Sequence, residues 1–362
     1  GAGMYSSSAE FQAQQNTVNT TPDAISMQRL LAEFVNEGAF QVALEASSHA
    51  LKQNRIKALK TDIAVFTNVS RDHLDYHGSM AEYGLAKRLL LKQPGLAYAV
   101  LNMNDPEHKN WLANIPETTS VVLYGQNISA ADMPSEYQYC VANNVRYTAE
   151  GIALSLKSSW GDCELRLSLL AEFNVANVLA AICSQLCLGK NIKQIAYIVQ
   201  KLKPVAGRME LYSRQNHATI VVDYAHTPDA LEKALLATKQ HCHGKLFCVF
   251  GCGGDRDVGK RSLMGEIAER LADHVILTDD NVRSENPKDI IQDILSGCIN
   301  PEQILVEHDR KTAIKIAAKQ ASAGDMILVA GKGHENYQII GNQTLAYDER
   351  QFVALFQEGK KV

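Results

Sequence analysis

The sequence predicts an α/β fold: two domains, each built on a mainly parallel sheet flanked by helices. Apolar runs of strand length alternate with helix-period segments almost throughout, the pattern of strands buried between helical layers. Four late strand signals, at residues 220–222, 246–250, 274–277 and 326–329, each run straight into a polar or glycine-rich segment. With 362 residues, 46% of them hydrophobic and 21% charged, the chain is long enough to build two cores.

The first helix is expected to be capped by Thr21, with Pro22 at its first position and Gly38 at its end. Ile25, Leu30, Leu31, Phe34 and Val35 would form its apolar face. Strands over residues 40–46 and 63–67 follow. Ser79-Met80-Ala81-Glu82 has the spacing of a capping box and opens a helix reaching about residue 93, with Lys87 in its middle. Between residues 136 and 169 the apolar period falls to two, which predicts an antiparallel flap at the edge of the first sheet. Helices over 174–188 and 192–202 close the first domain, and Lys203-Pro204-Val205-Ala206-Gly207 reads as a linker. The domains are therefore drawn as 1–206 and 207–362.

Beyond the linker, the four strands lead into Asp223-Tyr224-Ala225-His226, Gly251-Cys252-Gly253-Gly254-Asp255-Arg256, Asp279-Asp280-Asn281-Val282-Arg283 and Gly331-Lys332-Gly333-His334-Glu335. In an open parallel sheet ligands bind beyond the carboxyl ends of the strands, so these segments should converge on one crevice.

Composition excludes several functions. Lysine and arginine number 36 against 40 acidic residues, so no basic field exists to hold a nucleic-acid backbone. The eight cysteines include no C-x-x-C pair, which favours free thiols over disulfides or zinc. No run approaches the roughly 20 apolar residues of a membrane span, and no secretory signal opens the chain, so a cytoplasmic protein is expected. The chain starts at Gly1 rather than Met, as a processed or cut end would.

Gly254-Asp255-Arg256-Asp257-Val258-Gly259-Lys260 has P-loop spacing, yet Arg261 stands where a magnesium-binding Ser or Thr belongs, and two aspartates sit where a polyanion would lie. A turn presenting Arg256 to a ligand carboxylate suits these residues better. In the first domain Glu45 at one strand end and His73 after the next could bind magnesium or manganese, although a lone loop histidine is more often simply hydrogen-bonded. Lys87 on its helix is by default a solvated cation.

Taken in order, Asn19-Thr20-Thr21, Glu45-Ala46-Ser47-Ser48-His49, Phe66-Thr67-Asn68-Val69-Ser70-Arg71-Asp72-His73, the Lys87 helix, Phe173-Asn174-Val175-Ala176-Asn177, Gly207-Arg208-Met209-Glu210 and the four strand-end segments resemble the Mur ligases. The resemblance runs from about Asn19 to the C-terminus, on the branch that joins meso-diaminopimelate to UDP-N-acetylmuramoyl-L-alanyl-D-glutamate. It implies an ATP-dependent ligase of cell-wall precursor synthesis that activates a carboxylate as an acyl phosphate, with cations offsetting the charge that gathers there. It assigns Glu45, His73 and a carbamoylated Lys87 to magnesium, with Lys87 and His226 in the catalytic machinery. Asn174, Asn177, Arg208 and Asp223 would hold ATP. Asn19, Thr20, Thr21, Ser47, Gln53 and Arg55 would hold the UDP-muramoyl dipeptide. Arg256, Asp280, Asn281, Arg283, Gly331 and Glu335 would form the amino-acid pocket, where Arg283 and Glu335 answer the far carboxylate and amine of meso-diaminopimelate. A monomer is expected.

Two departures qualify that picture. Val282 replaces the proline of the family's Asp-Asn-Pro-Arg motif, so the loop should be less rigid with its specificity kept. The family's G-T-x-G-K-T-T loop does not occur in the eighteen residues before Asn19, nor does a UDP-binding N-terminal domain. This chain alone is therefore expected to show little or no ligase activity. The alternatives are a folylpolyglutamate-synthase-like ligase and a non-catalytic protein that keeps only the amino-acid pocket.

Overall fold

A computed structural model describes residues 20–69 and 74–360. Asn19 and His73 lie outside the described residues. Helix α1 spans Ala24–Asn36 and is capped by Asp23, whose carboxylate accepts the Ile25 and Ser26 amides, rather than by Thr21. Thr21 is drawn away because its hydroxyl donates to the Glu45 carbonyl at 2.6 Å and accepts the Ser47 amide at 3.0 Å. Leu30 is buried and Leu31 packs against the core as expected, whereas Ile25 and Val35 point to solvent and Met27 is buried instead, so the apolar face is shifted in part. The strand expected over residues 40–46 does not form, and Phe40, Val42 and Leu44 stand exposed. Apolar alternation makes a strand only where a neighbour completes the ladder, and among the described residues none pairs here.

Helix α2 (Ser48–Lys52), strand β1 (Ile63–Phe66), and helices α3 (Leu74–His77) and α4 (Met80–Arg88) follow. Ser79 caps α4 as expected, and the chain tightens into a 3-10 turn over Leu89–Lys92, which leaves Lys87 in the last α-helical turn rather than mid-helix. Then come β2 (Tyr98–Asn102), α5 (His108–Leu112), β3 (Ser120–Gln126), β4 (Gln138–Thr148), β5 (Gly151–Ser158) and β6 (Cys163–Leu167). These strands are ordered β1-β2-β3-β4-β5-β6, with β1, β2 and β3 parallel and β5–β6 antiparallel, so the predicted edge flap is present. Helices α6 (Phe173–Cys187) and α7 (Ile192–Val199) follow.

The remaining elements are β7 (Glu210–Tyr212), β8 (Thr219–Asp223), α8 (Pro228–His241), β9 (Leu246–Phe250), α9 (Gly259–Leu271), β10 (His274–Leu277), α10 (Pro287–Leu295), β11 (Leu305–Val306), α11 (Arg310–Gln320), β12 (Met326–Ala330), the hairpin β13 (Tyr337–Ile340) and β14 (Gln343–Ala346), and α12 (Glu349–Gln357). Their main sheet runs β11-β10-β9-β12-β8-β7, parallel except for β7 at the edge. Alternate side chains go to opposite faces. Val221, Cys248, Phe250, Leu277 and Leu328 pack with α8, α9 and α10, whereas Ile220, Val222, Val249, Ile276 and Val329 pack with α11 and α12.

Contacts divide the chain into two compact units, Gly1–Val141 with Lys157–Gly161 and Ala176–Ile192, and Ala142–Leu156 with Asp162–Val175 and Lys193–Val362. In the first, the core gathers Phe66, Leu101, Trp111 and Leu123 beneath the parallel strands. In the second, the cores lie on the two faces of the β7–β12 sheet. No helix among the described residues is long and apolar enough to cross a membrane.

Candidate active site

Register brings the four strand-end segments of the second unit together. Ala330 stands beside Asp223, Val329 beside Val249, and Phe250 beside Leu277, so β8, β12, β9 and β10 end level. The chain passes outward from β9 to β10 but returns from β11 to place β12 next to β8, so the strand order reverses between β9 and β12. A cavity of about 440 Å³ opens at that reversal, and Arg256, Asp280, Asn281, Arg283, Gly331 and Glu335, the six residues assigned to the amino-acid pocket, all line it.

Close backbone approach shapes this cavity. A Cβ on Gly254 would sit 2.0 Å from the Val282 carbonyl oxygen, and the bare glycine lets its amide donate to the Asn281 carbonyl at 2.9 Å. Asp255, at φ +54°, turns away and accepts the Ser284 hydroxyl at 2.7 Å. Arg256 is left exposed, with no hydrogen bond among the described residues. Arg283 also has positive φ, held by the hairpin: its amide donates to the Ile339 carbonyl at 3.1 Å and its carbonyl accepts the Gly341 amide at 2.7 Å. One guanidinium nitrogen donates to the Gly254 and Asn281 carbonyls, leaving the others for a ligand. Val282 is buried in the core with the β10 and α10 side chains, which gives an aliphatic residue a packing role where the family has proline.

The P-loop-like stretch is a structural clamp. Lys260 donates to the His226 carbonyl at 2.7 Å. Arg261, buried in α9, binds the Glu285 and Asp293 carboxylates and the Gly253 carbonyl. Arg261 is thereby committed to structure, and Lys260 lines the cavity while held by the His226 carbonyl.

At the end of β8, the Asp223 carboxylate accepts the Met209 and Ala225 amides, both at 2.8 Å, and burial raises its pKa. Gly207, at φ +65°, lies so close to the Gly333 turn that a Cβ would meet backbone at 2.2 Å. Arg208 is exposed and lies 4.8 Å over the Tyr224 ring, and His226, also exposed, makes a 2.8 Å contact through Nδ1 with the Tyr224 carbonyl. Asn174 donates to the Leu170 carbonyl at 2.6 Å.

In the first unit, four of the residues assigned to the UDP-muramoyl dipeptide form one network. Arg55 donates to the Thr21 carbonyl at 2.8 Å and to the Gln53 side chain, Gln53 reaches the Tyr76 hydroxyl at 3.2 Å, and Ser47 caps α2. Thr20 is exposed beside them in sequence. Glu45 is exposed and its carboxylate accepts no hydrogen bond among the described residues, which suits an oxygen ligand of a hard cation. Lys87 is half-buried, 5.6 Å over the Tyr83 ring. Asn177 also belongs to this unit.

Two family models match, the Mur ligase middle domain over residues 2–185 and the Mur ligase glutamate ligase domain over residues 207–333. The UDP-N-acetylmuramoyl-L-alanyl-D-glutamate–2,6-diaminopimelate ligase of Vibrio vulnificus is 46% identical over 341 residues, 94% of this chain and 68% of that protein. The chain belongs to the Mur ligase family. Its members are ATP-dependent ligases, and this chain is one of them. A solved structure of a UDP-N-acetylmuramoyl-L-alanyl-D-glutamate–2,6-diaminopimelate ligase superposes with a TM-score of 0.75 at 38% identity, covering 94% of this chain and 69% of that one. Folylpolyglutamate synthase of Mycobacterium tuberculosis shares the fold alone, with a TM-score of 0.53 at 18% identity over 76% of this chain and 62% of its own.

Against this Mur ligase framework, sequence reasoning missed Lys332. It is wholly buried, donating to Asn281 Oδ1 at 3.1 Å and Glu335 Oε2 at 3.0 Å. Its place between two glycines in a strand-end motif was the available signal. Arg310 was missed too: it is buried, paired with Glu349, and donates to the Ala330 carbonyl at 2.7 Å, which fixes the end of β12 just before Gly331.

Proposed function

We propose that this Mur ligase adds meso-2,6-diaminopimelate to the D-glutamyl carboxylate of UDP-N-acetylmuramoyl-L-alanyl-D-glutamate in peptidoglycan precursor synthesis. The observation that carries this reading is the cavity at the ends of β8, β9, β10 and β12, which sets Arg256 and Arg283 against Asp280 and Glu335. An amino acid with a carboxylate and an ammonium at each end needs charges of both signs at both ends of its site, and bidentate guanidinium recognition suits the carboxylates. The Vibrio vulnificus relative, by its name, acts on these substrates.

ATP, when bound, supplies the phosphoryl group that activates the D-glutamyl carboxylate as an acyl phosphate. In this reading the exposed Arg208 would bind its phosphates, Asn174 and Asn177 would contact the nucleotide, and Asp223 would hold the ribose, with His226 nearby. Thr20, Thr21, Ser47, Gln53 and Arg55, with Asn19, orient the UDP-muramoyl dipeptide. Glu45, His73 and Lys87, the last as its carbamate, would hold magnesium, whose charge offsets that of the reacting phosphoryl group. Residues 1–206 and 207–362 act as the nucleotide-binding and amino-acid-binding domains, a division supported by family matches that end at residue 185 and resume at 207. The ATP-gripping G-T-x-G-K-T-T loop does not occur in these 362 residues, so in this reading they supply the amino-acid and dipeptide sites of the reaction, with little turnover expected from them alone.

Calorimetry with meso-diaminopimelate, L-lysine and L-glutamate tests the assignment. Preference for meso-diaminopimelate is the expected result. Equal or absent binding of all three would remove the pocket assignment, and preference for L-glutamate would point to the folylpolyglutamate-synthase-like alternative.

A further inference from the structure

Resting on the amino-acid pocket just proposed, we infer that Lys332 is a positioning residue that sets which ligand charges the cavity accepts, by committing one oxygen of Glu335 and the side-chain amide oxygen of Asn281 to itself.

Lys332 does not line the cavity, and its side chain has no solvent exposure. Removing an ammonium from water costs several kcal/mol unless fixed acceptors replace the water. Here Asn281 Oδ1 and Glu335 Oε2 are those acceptors, and the Tyr337 ring lies 5.6 Å away as a third, weaker one. The consequence falls on the two partners, both of which do line the cavity.

Asn281 Oδ1 also accepts the Ile339 amide at 2.9 Å, so the carbonyl end of this amide is filled. Its Nδ2 donates to Glu335 Oε2 at 2.9 Å. With both oxygen lone pairs taken, the orientation of the amide is determined, and what remains for a ligand is its second N–H. Asn281 therefore meets a ligand as a donor, which suits a carboxylate and rejects an ammonium. Glu335 Oε2 receives both Lys332 and Asn281, so the carboxylate meets a ligand with Oε1, its charge largely answered from behind. One acceptor oxygen next to one N–H donor distinguishes the ammonium from the carboxylate at the far end of meso-diaminopimelate. Without Lys332, Asn281 keeps its orientation through the Ile339 amide and Glu335, but Glu335 carries an uncompensated charge, which attracts any ammonium and repels a carboxylate.

The test is the ratio of affinities for meso-diaminopimelate and L-lysine, measured by calorimetry on the whole chain. Lys332→Met keeps the length of the side chain and removes its charge. The expected result is an affinity for meso-diaminopimelate at least tenfold weaker with that for L-lysine unchanged or stronger, so that the ratio collapses. A residue that merely supports packing would weaken both ligands together, and an unchanged ratio in Lys332→Met would overturn the inference. If the wild-type chain binds neither amino acid, the pocket assignment itself fails, and that outcome is read before any variant is made. Should Lys332→Met not fold, the double variant Lys332→Met, Glu335→Gln leaves no carboxylate without its counter-ion. It is expected to fold and to show the same ratio as Glu335→Gln alone. A further drop in ratio beyond Glu335→Gln, or failure of the double variant to fold, would show that Lys332 does not act through Glu335.

Discussion

Arg261 Nη1 donates to Glu285 Oε2 at 2.8 Å and its Nη2 to Oε1 at 2.9 Å, a two-pronged pair that joins α9 to the loop carrying Arg283. Because the guanidinium is buried, its partners are structural necessities. Arg261→Ser would write the full G-x-x-x-x-G-K-S spacing into residues 254–261. It is nonetheless expected to create no nucleotide binding, and to cost about 2–3 kcal/mol of stability because the partner carboxylates keep some access to water. Chemical denaturation and nucleotide titration of the variant check the two parts separately.

Gly254 offers a test of how the pocket is shaped. A methyl group at this position would meet the Val282 backbone carbonyl oxygen at 2.0 Å, an atom that no rotamer change can move aside. Gly254→Ala should push the β9 and β10 loops apart, break the Gly254 to Asn281 hydrogen bond, and weaken meso-diaminopimelate binding by about tenfold, with a stability loss of about 1–3 kcal/mol. Calorimetry that finds unchanged affinity would show that the spacing of these two loops does not govern recognition.

Thr21 holds the extended segment that no strand among the described residues supports. Thr21→Val preserves the buried shape but deprives the Ser47 amide of its acceptor and the Glu45 carbonyl of its donor. A loss of about 1–2 kcal/mol is expected. Hydrogen exchange at the Ser47 amide should accelerate ahead of exchange in β1, and equal rates in wild type and variant would count against the latch.

His241 gives a pH dependence with a definite sign. It is buried, Nε2 accepts the Ala171 amide at 3.0 Å, and Nδ1 donates to the Thr148 carbonyl at 2.8 Å, so the neutral ring is the one the fold uses. Burial lowers its pKa below the ordinary 6.5, and nearby His243 acts in the same direction. Below 6.5 the unfolded chain therefore takes up a proton that the folded chain refuses. The stabilisation is full above that pH and is lost as pH falls toward the depressed value, by up to tenfold in the folding equilibrium for each pH unit. Denaturation of wild type and His241→Gln at pH 7.5 and 5.5 should show the wild type losing more across the interval.

The sequence by itself determined the α/β class, the flap over β4, β5 and β6, and the strands β8, β9, β10 and β12, and the family resemblance pointed to six of the residues that line the cavity. Strand periodicity and strand-end chemistry are local, and a parallel sheet leaves its polar loops one common edge on which to meet. Tertiary structure alone decided what depended on a partner distant in sequence. Residues 40–46 alternate like a strand, yet no described strand completes their ladder. Thr21 had the chemistry of a cap, but Glu45 and Ser47 offered its hydroxyl better-placed partners and Asp23 took the helix. Lys332 looked like one polar residue among several in a glycine-rich turn. Its importance comes from full burial between Asn281 and Glu335, and burial is a property of the folded chain that no local pattern encodes.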